Sequence, residues 1–248
     1  GRSRGRGDVY KRQDRRAVIE EILLDAKQRG IPCRIVSMTA ADQAELQGWF
    51  PDKFLYRADR DGYDYVYSVD DLADLKGRKF QKKRNHVNRF RAEHSQFELQ
   101  NLTDGNFSAA QRMVGEWYRA RMQADPTGDY MMESIAMSRA FRHYEGLQME
   151  SAVLVENGEI LAVTMGSRLW SDTFDIHFEK AREDVDGAYA AVNCEFARYL
   201  RLKYPNLRYL NREDDVGLAG LRKAKLSYNP HHMVEKSWAY LAEDFHGD

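Results

Sequence analysis

The chain has 248 residues with 43% apolar content, and its 38 Lys and Arg nearly balance its 39 Asp and Glu. This composition excludes wholesale disorder and suits one large domain or two small ones. The longest apolar runs are only a few residues long, which predicts no membrane-spanning helix, and the two distant cysteines indicate buried thiols in a reducing cytoplasm rather than a disulfide framework or a metal site.

Residues 1–13 are predicted to lie outside the fold. The chain begins with Gly rather than Met, and residues 8–13, DVYKRQ, are what a transposon end used to fragment DNA for shotgun sequencing would encode. We interpret residues 1–13 as a disordered sequencing artefact. A basic arm that grips nucleic acid is the alternative.

Residues 14–75 are predicted to be the remnant of a first α/β unit whose beginning is missing. Apolar spacing, the Thr39 cap and the stop at Gly30 define its first elements. The predicted elements are a helix over 15–29, a strand over 32–38, a helix over 39–50 and a hairpin that turns at Asp61-Gly62.

A connecting segment, residues 76–96, opens with a strongly basic run. Its first sixteen residues, KGRKFQKKRNHVNRFR, hold eight Lys or Arg and no Asp or Glu. Phe80, Val87 and Phe90 fall on one helical stripe, so we predict a helix whose remaining surface is cationic. A soluble face normally mixes both signs, so a site for a phosphate-bearing ligand is favoured over a merely solvated face. The candidate ligand-binding cations are Lys82, Lys83, Arg84 and Arg89.

Residues 97–248 are predicted to form a complete unit with the element order β-α-α-β-β-β-α-β-α-β. Turn signals at Asn157-Gly158 and near Ser171-Asp172 separate its three central strands. The predicted helices cover 107–122, 132–144, 187–205 and 216–228, and residues 231–242 are predicted to be one final strand.

Three residues of this unit are candidates for catalysis. Lys225 could stabilise a developing negative charge, although cations late in a helix are often only a solvated end. His177 and Glu179 alternate on one strand and therefore face the same side. A histidine there could accept a proton near neutral pH, or could be a structural, hydrogen-bonded residue.

The segment NREDD, residues 211–215, joins a strand to a helix and is a candidate substrate site. Its carboxylates could bind the ammonium group of a carried amino acid, although helix capping explains Asp214 or Asp215 equally well. The candidate substrate-binding residues in and after this segment are Asn211, Arg212, Asp214, Asp215 and Arg222.

The element order over residues 97–242 resembles that of GCN5-related N-acyltransferases. Four sequence motifs resemble those of the bacterial family named after the phosphatidylglycerol lysyltransferase C-terminal domain. They are SVDDLADLKGRKFQKKRNHVNRF, HFEKA, GAYAAVN and LNREDDVGLAGLRKAKLSYNP. This resemblance covers residues 14–248. It implies an α/β fold with a mixed sheet, made of tandem acyltransferase-like units of which the first is truncated. The resemblance also includes a late Lys followed three residues later by an aromatic residue, here Lys225 and Tyr228, and implies substrate binding by Tyr228.

The resemblance implies an aminoacyltransferase. Relatives such as lysyl-phosphatidylglycerol synthases and Fem-type enzymes take an amino acid from aminoacyl-tRNA and attach it to a lipid hydroxyl or a peptide amine. It thus implies aminoacyl-tRNA as co-substrate, no bound cofactor or metal, and a place in the cytoplasm or at an anionic membrane surface.

Two alternatives to this function stay open. An acyl-CoA-dependent N-acyltransferase is disfavoured, because Glu183, Asp184 and Asp186 crowd the turn before Gly187 where a pyrophosphate would bind. The other alternative is a non-catalytic module that binds anionic lipid or RNA.

Overall fold

The computed structural model describes residues 14–126, 128 and 130–244, and the segment interpreted as an artefact lies outside them. The described residues form two compact units, one made of 14–63 with 234–244 and the other of 64–233. The predicted boundaries at residues 75 and 96 do not coincide with this division, because the basic segment belongs to the second unit.

The first unit is a three-stranded antiparallel sheet with two helices. Its last strand, from the end of the chain, lies in the middle of the sheet and pairs with both earlier strands. Leu23, Leu46 and Phe54 are in its core. Its elements are α1 (Arg15–Arg29), β1 (Arg34–Met38), α2 (Ala40–Trp49), β2 (Phe54–Ala58) and β10 (Ser237–Leu241).

Local caps define both helices of this unit. The side chain of Asp14 accepts a hydrogen bond from the backbone N–H of Ala17, and Gly30 ends α1 in the left-handed conformation with φ of 65°. Thr39 and Asp42 form a reciprocal capping box at the start of α2. These caps place the helix boundaries at the predicted positions.

The predicted hairpin at Asp61-Gly62 is wrong. These residues lie in a 3₁₀ turn, and the strands on either side of it enter different sheets. The strand before the turn, β2, pairs with β10, whereas the strand after it, β3 (Asp64–Ser68), pairs with β8 (Tyr209–Asn211). The turn signal was real, but the choice of strand partner is made by long-range contacts.

The second unit is built on a seven-stranded mixed sheet with the order β4-β5-β6-β7-β8-β3-β9. Its strands are β3, β4 (Glu98–Asn101), β5 (Glu150–Glu156), β6 (Glu159–Arg168), β7 (Thr173–Ala181), β8 (Tyr209–Asn211) and β9 (His232–Val234). Its helices are α3 (Val69–Asp74), α4 (Gln81–Glu93), α5 (Asp104–Ala124), α6 (Tyr130–His143), α7 (Ala188–Lys203) and α8 (Ala219–Leu226). The element order from β4 to β9 is the predicted one. The final segment is not one strand, because β9 and β10 belong to different sheets.

The sheet opens where its parallel pair ends. Strand β8 pairs with β7 through Thr173–Asp175 only, and β7 then continues to Ala181. The chain after Asn211 leaves the sheet as a loop toward α8. This divergence exposes one edge of β7 and creates room for a ligand.

The basic segment is not helical from Lys76, as predicted: it begins with a 3₁₀ turn (Arg78–Phe80), which leads into α4, and the separate helix α3 ends before it. Leu75 and Gly77 break it with φ of 50° and 85°, in the left-handed region. The predicted apolar stripe is confirmed, because Phe80, Val87 and Phe90 are all buried. A Cβ added to Gly187 would lie 2.9 Å from the backbone carbonyl oxygen of His86, so α4 packs directly against the start of α7.

Among the residues described, no helix combines the length and apolarity needed to cross a bilayer.

Candidate active site

A cavity of about 1910 Å³ lies beside β7 in the second unit, where β8 diverges. Parts of α4, α5, α6, α7 and the segment from β8 to α8 complete its wall. Seven of the predicted site residues line it: Lys83, His177, Glu179, Arg212, Asp214, Lys225 and Tyr228.

A β-bulge positions His177 on this wall. Between Met165 and Gly166 the register of β6 against β7 shifts, so that His177 is the extra residue between Ile176 and Phe178. The close approach requires glycine, since a Cβ at Gly166 would lie 2.2 Å from the backbone oxygen of Asp175. Bulges of this kind redirect a side chain next to a site.

Both ring nitrogens of His177 have partners. Its Nδ1 is 2.9 Å from Glu213 Oε1, and its Nε2 is 2.8 Å from Ser167 Oγ. The hydrogen bond to the Glu213 carboxylate raises the pKa of His177, with a further contribution from Asp175. The imidazole is therefore more basic than a free histidine and is held in one orientation.

A strained loop presents Glu213. This residue has φ of 55°, a conformation that costs a non-glycine residue about 1–3 kcal/mol unless its surroundings hold it. The side-chain oxygen of Asn211 accepts a 2.8 Å hydrogen bond from the Glu213 N–H, while its Nδ2 donates to Asp64. Asn211, predicted to bind substrate, therefore positions Glu213 and does not line the cavity.

Lys225 fixes the same loop through hydrogen bonds to its backbone. Its ammonium group donates to the backbone carbonyls of Arg212 and Glu213, and the residue is only 9% exposed. Burial, with help from the nearby Arg212 cation, lowers the pKa of Lys225 to about 8. Two of its three N–H groups are thus used structurally, while the side chain still lines the cavity.

Arg212 and Lys83 stack around Tyr228. The Arg212 guanidinium lies 5.3 Å from the centre of the Tyr228 ring, and the Lys83 ammonium lies 4.0 Å from it. Arg212 also donates to Glu179 at 2.7 Å; burial alone would lower the pKa of Arg212, but this carboxylate raises it. Burial, followed by the Arg212 charge, lowers the pKa of Lys83.

Asp215 and Arg222 form a structural ion pair and do not line the cavity. Arg222 forms two hydrogen bonds to the Asp215 carboxylate, at 2.9 and 2.8 Å, and Tyr65 donates to it at 2.5 Å. Although burial opposes the shift, these donors hold the pKa of the fully buried Asp215 well below its usual range. The predicted substrate role does not fit either residue.

The four cations of the basic segment that were predicted to bind the ligand have different positions and partners. Lys83 lines the cavity and Lys82 is exposed on α4. Arg84 donates to the backbone carbonyls of Leu75 and Gly77, and Arg89 is ion-paired with Asp186. The predicted channel lined by all four is therefore wrong: two arginines stabilise the fold around the helix.

The sequence matches the model of the family described as phosphatidylglycerol lysyltransferase, C-terminal, over residues 8–240. The chain belongs to this family. The family is of the transferase type. The predicted mixed α/β, acyltransferase-like fold is confirmed by the solved structures that this chain resembles.

Two solved structures illustrate what this member of the phosphatidylglycerol lysyltransferase C-terminal family is similar to. A conserved protein of unknown function from Bacteroides thetaiotaomicron VPI-5482 is 37% identical, with a TM-score of 0.83 over 92% of this chain and 76% of that chain. L-PGS from Bacillus licheniformis is 18% identical, with a TM-score of 0.67 over 93% of this chain and 74% of that chain, and shares the fold.

A curated relative is longer. An uncharacterized protein of Mycoplasmoides gallisepticum is 22% identical over 174 residues, which are 70% of this chain and 54% of that protein. The chain thus spans about half the length of the curated relative it matches.

In this family member, the turn before α7 differs from its sequence-based interpretation. The three crowding carboxylates are each paired with an arginine: Asp184 with Arg182, Glu183 with Arg121 and Asp186 with Arg89. They are therefore not an uncompensated negative cluster. α4 packs closely on Gly187, and residues 187–190 at the start of α7 line the cavity.

Sequence reasoning missed two features of the site. The first is Ser167, since a lone serine in a strand carries no signal, and the second is the contact of Glu213 with His177, which sits within the segment assigned to substrate binding. The ligating atoms of Asp175, His177 and Glu213 lie within 4.8 Å of one another, a spacing that a cation could bridge, but hydrogen bonds already account for their arrangement.

Proposed function

We propose that the chain is an aminoacyltransferase, which takes an amino acid from aminoacyl-tRNA and transfers it to a hydroxyl or amine of a lipid or peptide acceptor. The observation that carries the proposal is the cavity beside β7, where an oriented imidazole, the buried cation Lys225 and the partly buried cation Arg212 line one volume. Family membership supports the transferase class.

The size of the cavity suits two substrates. Pockets for one small ligand usually have about 300–1,000 Å³. At about 1910 Å³ this cavity has space for the terminal nucleoside of an ester donor together with an acceptor group. Among the described residues, the lining holds seven Lys or Arg and seven Asp or Glu. The cavity therefore has no large excess of positive charge, and each cation interacts with a ligand only near its own position.

The lining residues match the needs of ester cleavage. His177 is placed to accept the proton that the attacking group loses, because its basicity is raised by Glu213. Lys225 and Arg212 supply positive charge where the carbonyl oxygen becomes negative. Lys83, at the cavity wall beside Tyr228, would bind a phosphate group of the donor.

A transfer assay tests this proposal. The full chain is incubated with tRNA charged with radiolabelled amino acids, one acceptor arm holding phosphatidylglycerol vesicles and the other peptides with free amines. We expect label to move to one acceptor, and Lys225→Met to lower the rate about a hundredfold. Lys223→Met, on the exposed side of the same helix, is the matched control and should leave the rate unchanged.

Two results would contradict this function, and a third would contradict only the role of Lys225. Binding of tRNA or anionic vesicles without transfer from any charged tRNA would identify a non-catalytic module. Transfer from acetyl-CoA in place of aminoacyl-tRNA would identify the acyl-CoA alternative. Equal rates for wild type and Lys225→Met would exclude a role for Lys225 in the reaction.

A further inference from the structure

A serine, an imidazole and a carboxylate lie in series on the cavity wall. Ser167 Oγ is 2.8 Å from His177 Nε2, and His177 Nδ1 is 2.9 Å from Glu213 Oε1. All three residues line the cavity and are partly exposed, so a substrate can reach them. We propose that Ser167 is the nucleophile of a Ser167–His177–Glu213 triad and forms a covalent acyl-enzyme during the acyl transfer proposed above, on which this inference rests.

The hydrogen-bond partners determine which nitrogen carries the proton. An ionised carboxylate only accepts hydrogen bonds, so Glu213 fixes the proton of neutral His177 on Nδ1. The Nε2 lone pair then accepts from the Ser167 hydroxyl. This order of donor and acceptor is the one that an activated serine requires.

The scaffold around the triad holds each member on a separate element. Ser167 lies at the end of β6, directly after the glycine that permits the bulge, and His177 is the bulged residue of β7. Glu213 is held by the Asn211 side chain and by Lys225 through its backbone carbonyl. The triad therefore depends on strand pairing and on a braced loop rather than on flexible side chains.

The chemical step transfers an acyl group in two halves. Ser167 Oγ attacks the carbonyl carbon of the donor ester while its proton passes to His177 Nε2. The bond from that carbon to the donor oxygen breaks, and His177 returns the proton to the departing hydroxyl. In the second half, an acceptor hydroxyl or amine attacks the acyl-serine, His177 takes its proton, and Ser167 Oγ leaves and recovers a proton.

The cations already described complete the requirement for charge stabilisation. Lys225 and Arg212 line the same cavity and supply positive charge for the oxyanion of both halves. The carboxylates that face the imidazole are those of Glu213 and Asp175, and both favour its protonated form. The imidazolium formed in each half is thereby stabilised next to the serine.

A fluorophosphonate probe tests the serine without knowledge of the substrate. Attack by Ser167 Oγ on phosphorus expels fluoride and leaves a stable adduct in the tryptic peptide 143–168, where fragmentation separates Ser167 from the buried Ser151. We expect labelling of the full chain, loss of the label in Ser167→Ala and a fall of about a hundredfold or more in His177→Gln. Ser171→Ala, at an exposed turn serine, is the matched control and should label like wild type.

Acid quenching of the transfer reaction then separates this inference from the proposed function. We expect amino acid bound to wild-type protein and absent from Ser167→Ala. Full transfer by Ser167→Ala, or a probe adduct at another residue, would overturn the triad and leave the aminoacyltransferase standing. A labelled Ser167 with no transfer from any charged tRNA would support the triad and overturn the proposed donor.

Discussion

Replacing Lys225 by methionine should remove a pH-dependent cost to the stability of the unit that contains it. The buried ammonium has its pKa lowered from 10.5 to about 8, so the folded state holds this proton less tightly than the unfolded state. Below pH 8 Lys225 is protonated in both the folded and the unfolded state, so the folded state is destabilised by the full cost of burying the ammonium, about 3 kcal/mol. Between pH 8 and 10.5 only the unfolded state keeps the proton, so stability must rise with pH.

The size of this rise follows from the two pKa values of Lys225. Between pH 7 and pH 9.5 the wild type should gain about 2 kcal/mol relative to Lys225→Met. Other titrating groups are common to both proteins, so their contributions cancel in the difference. The variant also loses the hydrogen bonds to the Arg212 and Glu213 carbonyls, but that loss adds a constant offset and not a slope.

Urea unfolding at several pH values measures the difference. Circular dichroism and tryptophan fluorescence should give the same transition, and the dependence on urea should stay equal in the two proteins. Lys223→Met, exposed on the same helix, should show no pH-dependent difference from wild type. A difference for Lys225→Met that stays within about 0.5 kcal/mol across this range would refute a depressed pKa.

Three further predictions concern the basic segment and the imidazole. Phe80→Ala should lower the free energy of unfolding by about 3–5 kcal/mol, because Phe80 is fully buried, whereas Lys82→Ala should change it by less than about 0.5 kcal/mol; similar urea midpoints would contradict the packing. Lys83→Glu should weaken tRNA binding more than Lys82→Glu, and anisotropy titrations should show the slope of log affinity against log salt falling by about 0.7–0.9 for each phosphate that the variant no longer neutralises. Glu213→Gln should lower the pKa of His177 and move the acid limb of the pH–rate profile to lower pH; an unmoved limb would show that another group titrates.

Local sequence signals predicted the elements whose limits are set locally. The helix Arg15–Arg29 has the predicted bounds because Asp14 and Gly30 act within a few residues of its ends. The hairpin at Asp61-Gly62 failed for the opposite reason, since a turn motif does not determine which distant strand completes a sheet. The single final strand failed likewise, because its two halves find partners far away in the sequence.

The candidate site was predictable in its residue types but not in its contacts. His177 was a candidate because it alternates with Glu179 on one strand, and Lys225 because a cation there could stabilise a developing negative charge. Ser167 was not, because its role depends on a register shift beside Gly166 that periodicity does not show. Arg84 and Asp215 were assigned to substrate because the sequence does not reveal that backbone carbonyls and Arg222 already hold them.

The central position of β10 in the three-stranded sheet has a consequence for synthesis on the ribosome. Arg34 pairs with Tyr240 and Phe54 with Leu241, so β1 and β2 emerge long before the strand that joins them is made. The unit of residues 64–233 has its full complement of chain earlier and can fold first. The nascent N-terminal strands meanwhile expose unpaired backbone edges, which makes them natural clients for chaperones until translation reaches residue 241.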